Sequence, residues 1–142
     1  MVPSMVNTIS MQDMRHLNLF GRITQVSTRF CFWYNECIIF SVPVRLLSKA
    51  IGENGKNIRR LNEVMGKRVK IVPSPNGIQD ARRFIENVIS PTKFKEMEIT
   101  DREIIITAGT QNKAALLGRN KRRLIELQKI VGDFFGRDLR II

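Results

Sequence analysis

The amino-acid sequence predicts an α+β protein of two similar units, each a three-stranded sheet with helices on one face. Three observations predict this class. Apolar residues recur at helical spacing in several segments, other short segments have the composition and alternation of strands, and the order of these segments occurs twice. The chain has 142 residues, which suffice for one ordinary domain or two very small ones, so a large multidomain enzyme is excluded.

The first unit begins with an amphipathic helix and a β-hairpin. Ser10 is the predicted N-cap of the helix, Asp13 takes the capping-box position, and apolar residues recur every three positions over residues 11–23. Residues 29–42 are rich in aromatic and β-branched side chains. The polar pair Asn35-Glu36 interrupts this segment, which predicts two strands joined by a tight turn.

Two short helices and a strand complete the first unit. A helix over residues 44–51 is expected to end at Gly52, and a second over residues 58–65 is expected to end at Gly66. Residues 68–72 alternate basic with apolar side chains, as a half-buried strand does.

A turn-rich segment lies at the middle of the chain. Residues 73–77, Pro-Ser-Pro-Asn-Gly, have no apolar periodicity, so they are predicted to link a first domain at residues 1–72 to a second at residues 78–142. Beyond this linker the order of elements recurs: a helix over residues 81–88, strands over 94–99 and 103–107, a short helix to residue 117, a longer helix, and a strand over 139–142.

Five residues of the first unit have counterparts 66 positions later in the second. The pairs are Gly52 and Gly118, Ile58 and Leu124, Leu61 and Leu127, Met65 and Val131, and Gly66 and Gly132. One constant offset together with the same order of elements indicates an internal duplication.

The charge of the chain favours a polyanionic partner. It has 24 Lys and Arg residues against 13 Asp and Glu residues, a formal net charge of +11. Nucleic acid is the leading interpretation, and an acidic protein or a membrane surface are the alternatives. No apolar segment approaches the roughly 20 residues of a membrane-spanning helix, so a membrane protein is not expected, and nucleic acid is expected as the partner in preference to a membrane. The first five residues have no features of a secretory signal, so a cytoplasmic protein with reduced cysteines is expected.

The most informative residues lie between the paired helices. The first unit has Ile51-Gly-Glu-Asn-Gly-Lys56, and the second has Leu117-Gly-Arg-Asn-Lys-Arg122. Two helices joined by Gly-x-x-Gly, with an aliphatic residue before and a basic helix after, resemble a KH domain, whose loop clamps about four nucleotides of single-stranded RNA. The order of elements resembles the type II arrangement. Two such units in tandem resemble the archaeal NusA-like family of transcription termination and antitermination factors.

The resemblance implies a non-enzymatic protein that binds single-stranded RNA in transcription elongation, termination or antitermination. It implies RNA polymerase or other transcription factors as further partners, and no cofactor or metal. The second loop is expected to be a degenerate clamp, because Lys121 replaces its second glycine. The residues expected to bind RNA are Ile51, Gly52, Glu53, Asn54, Gly55, Lys56, Ile58, Arg59 and Arg60 in the first unit and Leu117, Gly118, Arg119, Asn120, Lys121, Arg122 and Arg123 in the second.

Two other functions stay open as alternatives. A KH-type protein of ribosome assembly or RNA processing would favour folded RNA over unpaired strands. An enzyme acting on RNA would need a cluster of carboxylates, a histidine pair or a nucleophile triad, and the sequence has none of these patterns. A nucleotide-binding P-loop is rejected, because Ala50 stands at the first glycine position and Asn57 at the Ser/Thr position.

The histidine, the cysteines and the aromatic residues of the hairpin are expected to be packing or surface residues. His16, the one histidine of the chain, lies in the first helix and is expected to be a surface or packing residue. Cys31 and Cys37 lack Cys-x-x-Cys spacing, so they are expected in the core of the hairpin. Trp33 and Tyr34 could stack on a base, but packing is the expected role of aromatic residues on such a strand.

Overall fold

The computed structural model describes residues 11–142, so the N-cap predicted at Ser10 lies outside the described residues. The described chain forms six α-helices and two three-stranded sheets, in agreement with the predicted α+β class. It separates into two compact units, one ending at Ser74 and the other beginning at Pro75.

The first unit contains three helices and one sheet. Its elements are α1 (Met11–Thr24), β1 (Phe30–Tyr34), β2 (Cys37–Val42), α2 (Leu47–Ile51), α3 (Lys56–Met65) and β3 (Arg68–Pro73). The strand order is β1-β2-β3, with β1 and β2 antiparallel and β2 and β3 parallel. A 3-10 turn at Val44–Leu46 precedes α2, and another at Glu53–Gly55 joins α2 to α3.

The second unit repeats this topology. Its elements are α4 (Ala81–Ile89), β4 (Glu96–Ile99), β5 (Glu103–Thr107), α5 (Thr110–Leu117), α6 (Arg122–Phe135) and β6 (Asp138–Ile141). The strand order is β4-β5-β6, again with the first pair antiparallel and the second parallel. A 3-10 turn at Arg119–Lys121 joins α5 to α6.

The core of the first unit lies between its sheet and its three helices. Alternate residues of β2 and β3 face this core, as the two-residue period of a strand requires. Phe20 of α1 stacks on Phe40 of β2, with ring centroids 4.3 Å apart, and Ala50 of α2 and Leu61 of α3 complete the contact. All four side chains are fully buried. The helices therefore pack on one face of this sheet, as predicted.

The predicted hairpin turns at Asn35-Glu36, as expected. Asn35 has φ 50° and Glu36 has φ 62°, both in the left-handed region. Tyr34 and Cys37 are directly paired across this two-residue turn. Two left-handed residues give a turn whose twist matches that of the flanking strands, so the turn sets the register of β1 against β2.

The last helix departs from the repeat. It has 14 residues against the 10 of α3, and it ends at Gly136, which adopts the left-handed conformation with φ 65°. Gly132, the counterpart of Gly66, lies inside α6, so the longer helix predicted for the second unit continues past it. The four extra residues add about one turn. Phe134 and Phe135 of that turn pack on Phe84 of α4, with ring centroids 4.7 and 5.9 Å away.

Alanine at these two glycines should have opposite effects on stability. Gly132→Ala replaces a glycine inside a helix, where an added Cβ meets nothing within 4 Å, and should raise the free energy of unfolding by about 0.5–1 kcal/mol. Gly136→Ala places a side chain in the left-handed region and should lower it by about 1 kcal/mol. Urea denaturation of both variants measures the difference. A stabilising Gly136→Ala would show that the helix does not end there.

Candidate nucleic-acid interface

The loops between the paired helices follow the same backbone path in both units. Gly52 has φ 83° and ψ 162°, and Gly118 has φ 72° and ψ 175°. Residues other than glycine rarely adopt this conformation. A Cβ on Gly52 would lie 2.9 Å from the backbone nitrogen of Asn57, and one on Gly118 would lie 2.8 Å from Cγ of Arg123. Both loops therefore require glycine at their first position.

The last two loop positions are also alike. Asn54 has φ 56° and ψ 29°, and Asn120 has φ 57° and ψ 28°. Gly55 follows at φ 72° and ψ 20°, and Lys121 at φ 59° and ψ 25°. Lys121 thus adopts the left-handed conformation of the glycine that it replaces. The replacement adds a cation and a conformational cost, and the backbone path is unchanged.

A hydrogen bond across each loop joins the two helices. In the first unit, Nδ2 of Asn57 donates to the carbonyl oxygen of Lys49 over 3.2 Å. In the second, Nη1 of Arg123 donates to the carbonyl oxygen of Ala115 over 3.0 Å. The donor of the second unit lies 66 residues after the donor of the first, and the two acceptors have the same offset. This cross-loop hydrogen bond is therefore a repeated feature. It ties the start of the second helix of each pair to the helix before the loop.

The cross-loop hydrogen bond changes the interpretation of two residues. Arg123, one of the residues expected to bind RNA, is half-buried, and its Nη1 atom is engaged in this bond within the protein. Asn57 was not among the expected site residues. The offset of 66 residues between Asn57 and Arg123 was a signal in the sequence, but their different side chains concealed the shared role.

The other cations of the two loops are exposed. In the first unit Lys56 and Arg60 are exposed at the start of α3, while Arg59 donates a hydrogen bond to the carbonyl oxygen of Asn54. In the second unit the exposed cations are Arg119, Lys121 and Arg122. The exposed carboxylate of Glu53 lies within the first loop and opposes this positive charge.

Half-buried aliphatic side chains flank each loop. Ile51 and Ile58 lie on either side of the first loop and pack against the core, while Leu117 and Leu124 take the equivalent positions in the second unit. A cleft of about 580 Å³ adjoins Leu124. Its walls come from α6 and from β6, the edge strand of the second sheet.

A polar side chain ties the second helix of each pair to the edge strand. In the first unit Oδ1 of Asn62 accepts a hydrogen bond from the backbone nitrogen of Val69 over 2.7 Å. In the second, Nε2 of Gln128, 66 residues after Asn62, donates to the carbonyl oxygen of Leu139 over 3.2 Å. Both bonds hold the edge strand beside the helix that follows the loop.

The Trp, Tyr and Cys residues of the hairpin are buried or pack against the core, as predicted. Trp33 is half-buried against the core, and the Nζ atom of Lys67 lies 5.9 Å from its ring centroid. Burial raises the pKa of the Cys31 thiol to about 12, and the nearby Asp13 carboxylate adds to the shift. Cys31 is therefore a neutral thiol at pH 7 and a poor nucleophile.

The structure also bears on the P-loop and on membrane-spanning helices. The segment that ends at Ile51 is the helix α2, as predicted, whereas a P-loop requires a strand there. No helix in the described range has both the length and the apolar character needed to cross a bilayer.

Comparison with known proteins supports the resemblance seen in the sequence. Three archaeal proteins named probable transcription termination protein NusA align with most of this chain. The protein of Halococcus morrhuae is 26% identical over 135 residues, which cover 89% of this chain and 95% of that protein. The chain resembles archaeal NusA proteins. The protein of Methanococcus vannielii is 20% identical, and the alignment covers 90% of this chain and 75% of that protein. The protein of Methanocaldococcus jannaschii is 24% identical, and the alignment covers 87% of this chain and 68% of that protein. No protein-family profile matches the chain.

A solved structure has a similar fold. The protein described as "Crystal structure of APE1850" superposes with a TM-score of 0.67, at 23% sequence identity. The match covers 94% of this chain and all of the other. An experimental structure therefore has a fold similar to that of this chain.

Glycine at position 121 should stabilise the second unit. Lys121→Gly removes a left-handed lysine and should raise the free energy of unfolding by about 0.5–1 kcal/mol. Arg122→Gly is the matched control, because Arg122 has right-handed φ −64° at the start of α6 and its replacement should lower the same quantity by up to about 1 kcal/mol. Chemical denaturation compares the two. Destabilisation by Lys121→Gly would contradict the left-handed assignment.

Loss of the cross-loop hydrogen bond should loosen the first loop. Asn57→Ala removes the donor to Lys49 and should lower the free energy of unfolding by about 0.5–1.5 kcal/mol. Amide hydrogen exchange of Gly55 and Lys56 should become faster. Asn57→Arg supplies the donor that the second unit uses and should restore slow exchange. Unchanged exchange in Asn57→Ala would mean that the hydrogen bond does not hold the loop.

Proposed function

We propose that this chain binds single-stranded RNA through two tandem type II KH domains and acts in transcription elongation, termination or antitermination. One observation carries the proposal: two helix–loop–helix segments share a backbone path that begins with an obligatory glycine and leads into a basic helix. The archaeal relatives named probable transcription termination protein NusA support the transcriptional setting.

The loops would bind the phosphates of the RNA backbone. Gly52 and Gly118 leave no side chain at the first loop position, so a phosphate can approach the main chain. The free N–H groups and positive dipole ends of α3 and α6 then face the anion. The exposed cations beside them, Lys56 and Arg60 in one unit and Arg119, Lys121 and Arg122 in the other, add attraction at longer range.

The bases would lie against the aliphatic residues that flank each loop. Ile51 and Ile58 are half-buried and offer apolar surface beside the first loop, and Leu117 and Leu124 do so beside the second. The edge strands β3 and β6 each have one side without a partner strand in the sheet. Backbone groups on that side can hydrogen-bond to base edges, which is how unpaired bases are distinguished. The cleft between α6 and β6 has room for a base.

The proposed activity is binding without catalysis and needs no cofactor. Glu53 is the carboxylate within the loops, and one carboxylate does not make an acid–base pair. We place the protein in the cytoplasm, with RNA polymerase or another transcription factor as a second partner of the RNA-bound chain.

Binding should be selective for unpaired RNA and strongly dependent on salt. If about 4–6 phosphates are engaged, the logarithm of the association constant should fall against the logarithm of salt concentration with a slope of about −3 to −4. Fluorescence anisotropy with a labelled single strand measures the slope. Competition with a hairpin of the same composition separates this function from ribosome assembly. Preference for the hairpin would favour that alternative, and loss of RNA during incubation with Mg²⁺ would favour an RNA enzyme.

The two loops should differ in what they contribute. Glu53→Asp with Asn54→Asp should abolish discrimination between RNA sequences, because the close backbone approach at Gly55 suits base reading and the added charge repels phosphate. Arg119→Asp with Asn120→Asp should weaken binding to all sequences and flatten the salt slope by about 0.7. All four residues are exposed, and aspartate tolerates the left-handed conformation of the two asparagines, so both variants should fold.

A control variant separates local from overall charge effects. Arg102→Asp with Asn112→Asp makes the same charge change as the second loop variant, at exposed positions outside the loops. Anisotropy with several RNA sequences should give this control nearly the affinity of the unmodified chain. Equal weakening by the control and by the loop variant would mean that the loops are not the binding site.

A further inference from the structure

Three side chains with metal-ligating atoms meet where α1 packs on the hairpin. Asp13 and His16 are three residues apart on α1, so they lie on the same face of the helix. Cys31 of β1 lies opposite them. One ligand atom from each residue lies within 4.8 Å of the other two, and all three residues are half-buried. Two elements that are distant in sequence thus bring a carboxylate, an imidazole and a thiol together.

The imidazole of His16 has an unsatisfied atom. Its Nδ1 is buried, and no hydrogen-bond partner for it exists among residues 11–142. A buried polar atom without a partner costs free energy, because it has lost its hydrogen bond to water. The ring of Trp33 contacts His16 edge-on, with centroids 6.2 Å apart and an interplanar angle of 66°.

We propose that Asp13, His16 and Cys31 together bind one Zn²⁺ ion. A thiolate, an imidazole and a carboxylate form a donor set that suits zinc and does not suit Mg²⁺ or Ca²⁺, which prefer oxygen ligands. Water completes the four ligands. As the Zn–S bond forms, the proton of the Cys31 thiol leaves to solvent, and the imidazole binds in its neutral form. This site lies on the hairpin side of α1 and is independent of the proposed RNA-binding loops.

The geometry requires only a small adjustment. Tetrahedral zinc places nitrogen, oxygen and sulfur ligands about 3.3–3.5 Å from one another. The three ligand atoms lie within 4.8 Å of one another, so they must approach by up to about 1.5 Å. The bound ion would then link α1 to β1.

The test uses the full chain without a histidine tag, because His16 is its one histidine, and Trp33, its one tryptophan, reports on the site. Zn²⁺ should bind with 1:1 stoichiometry and change the Trp33 emission. Co²⁺ should give the near-ultraviolet charge-transfer band of a cobalt–thiolate bond. Saturating Zn²⁺ should raise the unfolding temperature by roughly 5 °C or more, and a chelator should reverse this rise.

Variants assign the ligands. Cys31→Ser should abolish the cobalt–thiolate band, and Cys37→Ser, at the other cysteine, should retain it. His16→Asn should weaken binding at least 100-fold. Asp13→Asn, at the helix surface, should weaken it about ten-fold while the band persists. Failure of the unmodified chain to bind Zn²⁺, a band that survives Cys31→Ser, or full affinity in Asp13→Asn would each overturn the proposal. Circular dichroism of each variant without metal shows whether the fold is retained.

Discussion

The arrangement of each helix pair depends on the glycine that begins its loop. Gly52 and Gly118 combine a positive φ with an extended ψ, a conformation that reverses the chain between two helices within a few residues. The space where a side chain would stand is occupied by residue 57 or residue 123 of the following helix. That helix can therefore begin close to the loop, and its free N–H groups are brought to the surface where an anion could reach them.

The cross-loop hydrogen bonds show how one geometry can survive a change of side chain. Asparagine in the first unit and arginine in the second donate to equivalent carbonyl oxygens. The longer arginine reaches its acceptor from a half-buried position and is then engaged within the protein. Charge counted along a basic helix thus overstates the charge offered to a ligand. Beside the second loop, Arg119, Lys121 and Arg122 keep exposed side chains.

The two units differ in the length of the helix that follows the loop, which has 10 residues in the first unit and 14 in the second. The extra turn of α6 brings Phe134 and Phe135 against Phe84 of α4, and the strand β6 begins 70 residues after β3. In the second sheet, Glu96 and Glu98 are exposed, while Glu103 forms an ion pair with Arg140 over 2.9 Å. These acidic residues therefore lie mainly on the solvent-facing side of a sheet whose other face is buried.

Local patterns in the sequence determined most of the secondary structure and the position of the loops. Helical spacing, strand alternation and the Asn35-Glu36 turn depend on neighbouring residues, and they predicted the element order and the strands to within two residues. Only the tertiary structure decided that α6 continues past Gly132, that Arg123 bonds across the loop, and that Cys31 lies beside the first helix. Each of these depends on contacts between residues in different elements, for which no local pattern in the sequence exists.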